Sequence, residues 1–215
     1  MKKLLILAFL VLSVSLSAQN IQFLTNGKEN FATFEIFKPY DHGVLYYFSD
    51  FKMTKNGINE VYSEISAYVN VYKTFSVTAQ YNAGLNQDFN IFPVYLCGVS
   101  KSFKIGEKID LSVDALYRHQ NFLYLGDKEK QDGYQITTVF SGNFNKFQIS
   151  GYCDFWNTKY VIFEPQAFYN VYKSLWLGLE CRTSNYSDVL NYDAEGDYIG
   201  QYSNYIMAGI KWVIN

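Results

Sequence analysis

Carboxylate, arginine and aromatic side chains recur at every second position in several stretches of this sequence, a spacing that places them on one face of a β-strand. Carboxylate oxygens accept hydrogen bonds from the hydroxyl and amino groups of a solute, and aromatic rings stack on planar groups. Such a face could therefore bind or filter a small solute. The candidate residues are Tyr62, Glu64, Tyr68, Asp114, Arg118, Asp154, Trp156, Glu164, Phe168, Glu180 and Arg182.

Catalytic chemistry has a weaker basis in the sequence. His119 could act as the base for a serine nucleophile, but Ser112 lies at an odd spacing from it and so faces the opposite side of a strand. No orienting partner for His119 can be named. The CxxC, HExxH and phosphate-cradling glycine motifs are also absent. We expect no enzymatic activity, no cofactor and no metal site. An outer-membrane hydrolase is the less favoured alternative function.

Six segments alternate between apolar and polar residues. In the first, Val61, Ile65 and Val69 share one face, and no charged residue occurs on the apolar face of any of the six. Strands of soluble sandwiches average about five or six residues, whereas those of outer-membrane barrels need about 9–11. The longer type fits the segments 61–71, 75–85, 109–118, 147–156, 161–171 and 175–183.

The chain beyond its N-terminus divides into twelve strands of this kind. We expect them near 20–25, 31–38, 43–52, 60–72, 74–85, 91–104, 108–120, 133–141, 146–157, 160–171, 174–185 and 203–214. Short connections alternate with mostly longer ones, such as 53–59, 121–132 and 186–202, as periplasmic turns alternate with external loops. The predicted fold class is all-β: a transmembrane antiparallel β-barrel of about twelve strands, with the lipid bilayer of the outer membrane as its partner.

The N-terminal residues have the pattern of a secretory signal peptide. Lys2 and Lys3 precede the apolar run 4–12, and a small-residue segment ends at Ala18. The apolar run is shorter than the roughly 20 residues of a membrane-spanning helix. We therefore expect a cleaved signal peptide over 1–18 and an outer-membrane β-barrel over 19–215. The net charge of −2 gives no basic excess, so we expect no nucleic acid as a partner.

A hexapeptide occurs almost unchanged at two places. NVYKTF begins at Asn70 and NVYKSL begins at Asn170, each between two alternating segments. Both copies predict a tight hairpin turn, at 72–74 and at 172–174. Chance reuse of a turn-compatible sequence and duplication of a hairpin both remain open.

Several short segments resemble a known family. FEIFKP (34–39), YFSDFKM (47–53), YSEISAY (62–68), YNAGL (81–85), DFW (154–156) and FEPQAFYN (163–170) are similar in order to an outer-membrane barrel family of unassigned function that resembles the nucleoside-specific, Tsx-like channel-forming porins. The resemblance implies a monomeric barrel of about twelve strands that passes nucleosides or similar small molecules. It transfers no individual binding residue. Pro165 departs from an ideal strand, and we expect a bulge or a locally broken ladder there.

The two hairpin turns predict a register for the polar face. Asn82 is expected opposite Glu64, Gln166 opposite Glu180, and Arg182 opposite Glu164, with Asp154 facing Glu164 across the next hairpin. The acidic residues of this face outnumber Arg118 and Arg182, so anions should be disfavoured. They are Glu64, Asp110, Asp114, Asp154, Glu164 and Glu180.

Passive uptake of small solutes, nucleosides among them, is the function that these patterns favour. A lumen of twelve strands falls between the filled interior of eight and the open channel of sixteen. The same side chains could therefore line a channel or form a polar plug. A structural or loop-mediated ligand-binding barrel without transport is the alternative, and the acidic segment 187–203 could hold calcium or lie solvated.

Overall fold

The alternating segments form twelve β-strands in the computed structural model, which describes residues 18–86, 90–121, 130–157, 160–185 and 203–214. All twelve expected strands are present, and β4 and β8 extend furthest beyond their expected ends. In chain order the strands are β1 (Ala18–Thr25), β2 (Asn30–Tyr40), β3 (Gly43–Thr54), β4 (Gly57–Tyr72), β5 (Phe75–Asn86), β6 (Asn90–Ile105), β7 (Ile109–Asn121), β8 (Lys130–Phe144), β9 (Phe147–Trp156), β10 (Tyr160–Tyr172), β11 (Leu175–Ser184) and β12 (Ser203–Ile214).

The strands close into one antiparallel barrel. Each strand pairs with its neighbours in the chain, and β1 pairs with both β2 and β12, so the ring has no free edge. Closure matters in hydrocarbon because backbone N–H and C=O groups find no water there and must pair with one another. Within the described ranges, no α-helix offers an apolar stretch long enough to span a bilayer.

Alternate residues of each strand face the lumen and the outer surface. In β5, Ser76, Thr78 and Gln80 are buried, whereas Val77 and Tyr81 are exposed on the outer surface. An exposed apolar surface of this kind is the lipid-contacting face of an outer-membrane barrel. Its members include Ile65, Val69, Val77, Tyr81, Val99, Ile136, Phe163, Leu177, Leu179, Ile206, Ile210 and Trp212. The fold class predicted from alternation is confirmed.

The two ends of the barrel differ in their connections. At one end, which we call the turn end, the connections are 41–42, 73–74, 106–108, 145–146 and 173–174. The opposite, loop end carries the long connections after β7 and β11, although 55–56 is shorter than the expected loop over 53–59. Residues 122–129 and 186–202, and with them most of the acidic segment, lie outside the described residues. Short turns place the turn end on the periplasmic side.

Both copies of the repeated hexapeptide form the same bulged turn. The β4–β5 register shifts between Asn70 and Tyr72, and the β10–β11 register shifts between Asn170 and Tyr172. The next residue is left-handed in each copy, with φ of 48° at Lys73 and 45° at Lys173. The hairpin turns predicted from the hexapeptide are confirmed.

Pro165 interrupts one of its two ladders. Pairing with β9 runs through Pro165 and Gly151, whereas the β10–β11 pairing passes from Phe163↔Thr183 directly to Gln166↔Glu180. Proline has no backbone N–H to donate, so a local gap is its expected effect in a closed sheet. The register on both sides of the gap is unchanged.

The lipid-facing assignment of β11 predicts a depth-dependent cost for a charge. Leu179 lies mid-strand on the outer face and Thr183 lies on the same face near the loop end. We expect Leu179→Arg to lower the free energy of unfolding by about 2–4 kcal/mol and Thr183→Arg by about 0–1 kcal/mol, since the interface solvates the guanidinium. Denaturant unfolding in lipid vesicles measures both. Equal losses would contradict the assignment.

Candidate functional site: the barrel lumen

All of the candidate residues named from the sequence lie on the lumen-facing phase of their strands. Tyr62, Glu64 and Tyr68 occupy alternate positions of β4, opposite the inward residues of β5. Asp114 and Arg118 lie on the lumen-facing phase of β7, opposite Ser100 and Leu96 of β6, and both are buried. The strands β9, β10 and β11 contribute Asp154, Trp156, Glu164, Phe168, Glu180 and Arg182. The alternation therefore predicted the facing of these side chains, and their binding of a solute stays a prediction.

Carboxylates held by neutral donors form a band around the lumen. Each receives a hydrogen bond from a hydroxyl or amide group, and this group orients the carboxylate without cancelling its charge. The donors are Asn20 Nδ2 to Glu35 (2.5 Å), Thr33 Oγ1 to Asp50 (2.6 Å), Ser66 Oγ to Glu64 (3.2 Å), Thr137 Oγ1 to Asp154 (2.5 Å), Tyr152 Oη to Glu164 (3.1 Å) and Gln166 Nε2 to Glu180 (2.6 Å). We call these six acids the carboxylate band.

Cations contribute less to this band than acids do. Arg182 Nη1 lies 3.6 Å from Glu164 Oε2, as the predicted pairing of these two residues requires. Lys211 is buried on β12, and Arg118 is buried on β7. The six acids of the carboxylate band outnumber these three cations.

Acids of the carboxylate band lie on opposite walls of the barrel. Glu64 on β4 and Asp154 on β9 form one such pair, and Asp50 on β3 and Glu164 on β10 form another. The members of each pair are separated by five places in the ring of twelve strands, so they belong to facing walls. The carboxylate band therefore surrounds the lumen.

An apolar cluster covers one wall beside the band. Leu24, Phe168 and Met207 are buried and pack together, with Phe31, Trp176 and Tyr205 partly buried against them. Gly178 and Gly209 lie beneath: a Cβ on Gly178 would meet the Phe168 ring, and a Cβ on Gly209 would meet the side chain of Leu24. The absence of side chains at these two glycines makes room for the cluster, which we call the Phe168 cluster.

Lys211 connects the Phe168 cluster to another wall. Its Nζ lies 4.0 Å from the centroid of the Phe168 ring and 5.7 Å from that of Trp176, and it donates a hydrogen bond to Gln148 Oε1 on β9. A cation over ring faces is stabilised by their negative quadrupoles. Lys211 is therefore fixed within the lumen.

A second apolar cluster lies on the wall formed by β6 and β7. It consists of Val94, Leu96 and Leu116, all buried. Beside it, Asp114 is completely buried and accepts hydrogen bonds from Tyr68 Oη (2.8 Å) and Gln80 Nε2 (3.4 Å). The Tyr68 bond joins β4 to β7 over two intervening strands, so side chains fill part of the lumen at this level.

A family model covers most of the chain. The family described as a domain of unknown function, DUF5020, matches residues 18–196. The chain belongs to this family. A search of curated proteins finds no match.

Solved porin structures share the fold of this DUF5020 member. The KdgM porin aligns with a TM-score of 0.54 at 10% sequence identity, over 92% of this chain and 99% of that one. The NanC porin aligns with a TM-score of 0.53 at 10% identity, over 91% and 98%. A further structure, of KdgM porin in complex with disordered oligogalacturonate, aligns with a TM-score of 0.53 at 10% identity, over 92% and 99%. The fold is thus that of outer-membrane porins, and the comparisons carry no information on nucleosides.

One predicted pairing in the DUF5020 barrel is wrong. Asp154 pairs with Ile162, and Glu164 pairs with Tyr152, so Asp154 does not face Glu164 directly. Trp156 lies opposite Tyr160 across the β9–β10 connection, and this register moves the partner of Asp154 two residues, from Glu164 to Ile162. The predicted pairs Glu64↔Asn82 and Gln166↔Glu180 are confirmed.

Sequence reasoning missed three charged groups of the lumen. Glu35 and Asp50 face inward from β2 and β3, and Lys211 faces inward from β12. Aromatic residues occur on both faces of β2 and of β3, so alternation in the sequence does not predict which face of these strands points to the lumen. The signal available for Lys211 was its position between Ile210 and Trp212, which are both exposed on the outer face.

His119 lies on the outer face and Ser112 on the lumen face, as their spacing predicts. His119 Nδ1 lies 2.5 Å from Asp132 Oδ1, so the structure supplies a carboxylate partner that the sequence did not reveal. A serine nucleophile at Ser112 is out of its reach because the strand backbone separates them. No group of three or more metal-ligating side chains forms among the residues that the structure describes.

The buried Tyr68–Asp114 bond predicts a cost for losing its hydroxyl. Tyr68→Phe removes a donor to a fully buried carboxylate, and we expect it to lower the free energy of unfolding by about 1–3 kcal/mol. Tyr81→Phe on the lipid face of the adjacent strand is the matched control and should change little. Denaturant titration monitored by tryptophan fluorescence compares them. Equal stabilities for the two variants would show that the bond contributes nothing.

Proposed function

We propose that the barrel is a passive channel for small solutes across the outer membrane, selective against anions. The carboxylate band carries this proposal, because its six carboxyl groups lie on the lumen face and each is oriented by a neighbouring hydroxyl or amide donor. In this account residues 1–18 direct export and are removed, and residues 19–215 act as a monomeric barrel. The protein then performs no catalysis.

We infer that the passage is narrow. Tyr68 on β4 reaches Asp114 on β7, and Lys211 on β12 reaches Gln148 on β9. Contacts between strands that are three places apart leave less free width than a ring of twelve strands alone would give. Solutes of the size of a monosaccharide or a nucleoside fit this account better than polymers do.

Charge is expected to limit the entry of acidic sugars. The structurally similar KdgM porin is described in complex with a disordered oligogalacturonate, whose sugar units carry carboxylates. In the present lumen the carboxylate band would repel such a chain, and Arg118, Arg182 and Lys211 offer fewer positive groups than the band has acids. We therefore infer that neutral and cationic solutes pass and that acidic oligosaccharides do not.

Nucleosides are one class that fits the lining. Rings such as Tyr62, Trp156 and Phe168 could stack on a base, as aromatic platforms do with nucleobases. The carboxylate band could accept hydrogen bonds from the ribose hydroxyls. Two observations support nucleosides as the solute: the aromatic and carboxyl side chains of the lumen, and the resemblance of sequence segments to the nucleoside-specific porins.

Conductance in planar bilayers tests the channel. The refolded chain should give small open steps, and under a potassium chloride gradient the reversal potential should have the sign that potassium diffusion sets. Adenosine or thymidine should reduce the current, whereas neutral glucose at equal concentration is the control for viscosity. A correctly folded barrel that stays silent would overturn the channel and favour the loop-mediated binding barrel. An anion-selective current would contradict the role of the carboxylate band.

Removal of the Phe168 ring should widen the passage. Phe168 is 1% exposed and covers Gly178, so Phe168→Ala vacates space inside the lumen. We expect a larger single-channel conductance for this variant, because less side-chain volume obstructs the ions. Phe163→Ala is the matched control on the lipid face of the same strand, and its conductance should equal that of the parent protein. Unchanged conductance in Phe168→Ala would place the constriction elsewhere.

A further inference from the structure

Five lysines at the turn end lie over aromatic rings. Four of them lie in four of the five turns, and the fifth, Lys101, lies on β6 opposite Phe75, the first residue of β5. The ammonium groups are therefore at one level of the barrel. From Nζ to ring centroid, Lys73 is 5.0 Å from Tyr72, Lys101 is 5.0 Å from Phe75 and from Phe103, Lys108 is 5.9 Å from Phe144, Lys146 is 6.0 Å from Tyr169 and Lys173 is 5.2 Å from Tyr172. We call these five residues the turn-end lysines.

The rings beneath the turn-end lysines belong to the outer surface. Tyr72 and Tyr172 are 62% and 65% exposed, and Phe75, Phe103 and Tyr169 are also exposed on the lipid-facing phase. Aromatic side chains at this level mark the boundary between hydrocarbon and headgroups. The lysine stems therefore extend along apolar surface, and their ammonium groups reach the headgroup region.

Two acidic residues, Asp41 and Glu107, lie in the turns of this end, and neither forms an ion pair with the five lysines. Among the described residues none of the turn-end lysines forms an ion pair, whereas the nearby Lys104 pairs with Asp110 at 3.3 Å. A ring contacts an ammonium group from one side, and the group has three N–H donors. Donors remain available to a partner with acceptor oxygens.

Lysine occupies a strained position in both copies of the hexapeptide. Lys73 and Lys173 are left-handed, a conformation that glycine or asparagine adopts at lower cost. The equivalent turns after β6 and β8 place Gly106 and Asn145 in that conformation. The backbone thus gives no reason for lysine, which points to a role for the charged side chain.

We propose that the turn-end lysines form a binding surface for the phosphate groups of anionic phospholipids in the periplasmic leaflet. Phosphate oxygens accept hydrogen bonds from ammonium groups, and negatively charged headgroups attract basic residues at the membrane surface. A lipid is the occupant because the rings that hold the lysines are themselves in contact with lipid. An acidic protein would have to displace that lipid. The surface is independent of whether the lumen conducts.

Asparagine variants test the surface without disturbing the turns. The double variant Lys73→Asn with Lys173→Asn keeps a residue that tolerates the left-handed conformation, so it should fold as the parent protein does. Lys28→Asn with Lys55→Asn removes the same charge from exposed positions at the loop end and is the matched control. Heat-modifiable migration in gel electrophoresis verifies folding of each variant.

Native mass spectrometry of the detergent-solubilised barrel, titrated with phosphatidylglycerol or phosphatidylcholine, measures retained lipid. We expect the apparent affinity for phosphatidylglycerol to fall about fivefold per turn-end lysine removed, with no change in the loop-end control. Affinity for phosphatidylcholine should be lower and equal in all variants. Undiminished binding of phosphatidylglycerol in the turn-end variant, or an equal loss in the control, would overturn the proposal.

Discussion

Backbone pairing in hydrocarbon is the constraint on which this structure depends. No water reaches the N–H and C=O groups of the membrane-spanning strands, so each strand must have a neighbour on both sides. Pairing of β1 with β12 meets that requirement and closes the ring. Once the ring is closed, alternate residues have only two environments, lipid and lumen. The division of every strand into an apolar and a polar face follows from closure.

Acidic side chains outnumber basic ones on the lumen face that results. Hydroxyl and amide donors such as Thr137 and Gln166 orient carboxyl groups on several walls. Apolar side chains around Phe168 and Leu116 occupy the remaining walls. In the channel that we propose, such a surface suits solutes that carry hydroxyl groups and an apolar face, and it disfavours anions.

Local patterns in the sequence predicted most of the fold. Period-two alternation identified the strands, and the hexapeptide at Asn70 and Asn170 gave the register of two hairpins, because a tight turn leaves little freedom in pairing. The partner expected for Asp154 is wrong by two residues, because the β9–β10 connection lacks the repeated turn sequence and its register is set by Trp156 opposite Tyr160. Glu35 and Asp50 were missed because aromatic residues occupy both faces of their strands. Contacts across the lumen depend on the stagger of all twelve strands around the ring. The register of a single hairpin therefore does not predict them.

Swelling of liposomes that contain the barrel tests the central claim most directly, with galactose and galacturonate as permeants. The two sugars are nearly equal in size and differ in the charge of one group, so their relative rates report the field of the lumen and not its width. We expect galactose to enter faster than galacturonate, and the difference to shrink at high ionic strength as salt screens the carboxylate band. Faster entry of galacturonate, or no entry of either sugar into liposomes that contain folded barrel, would contradict the account.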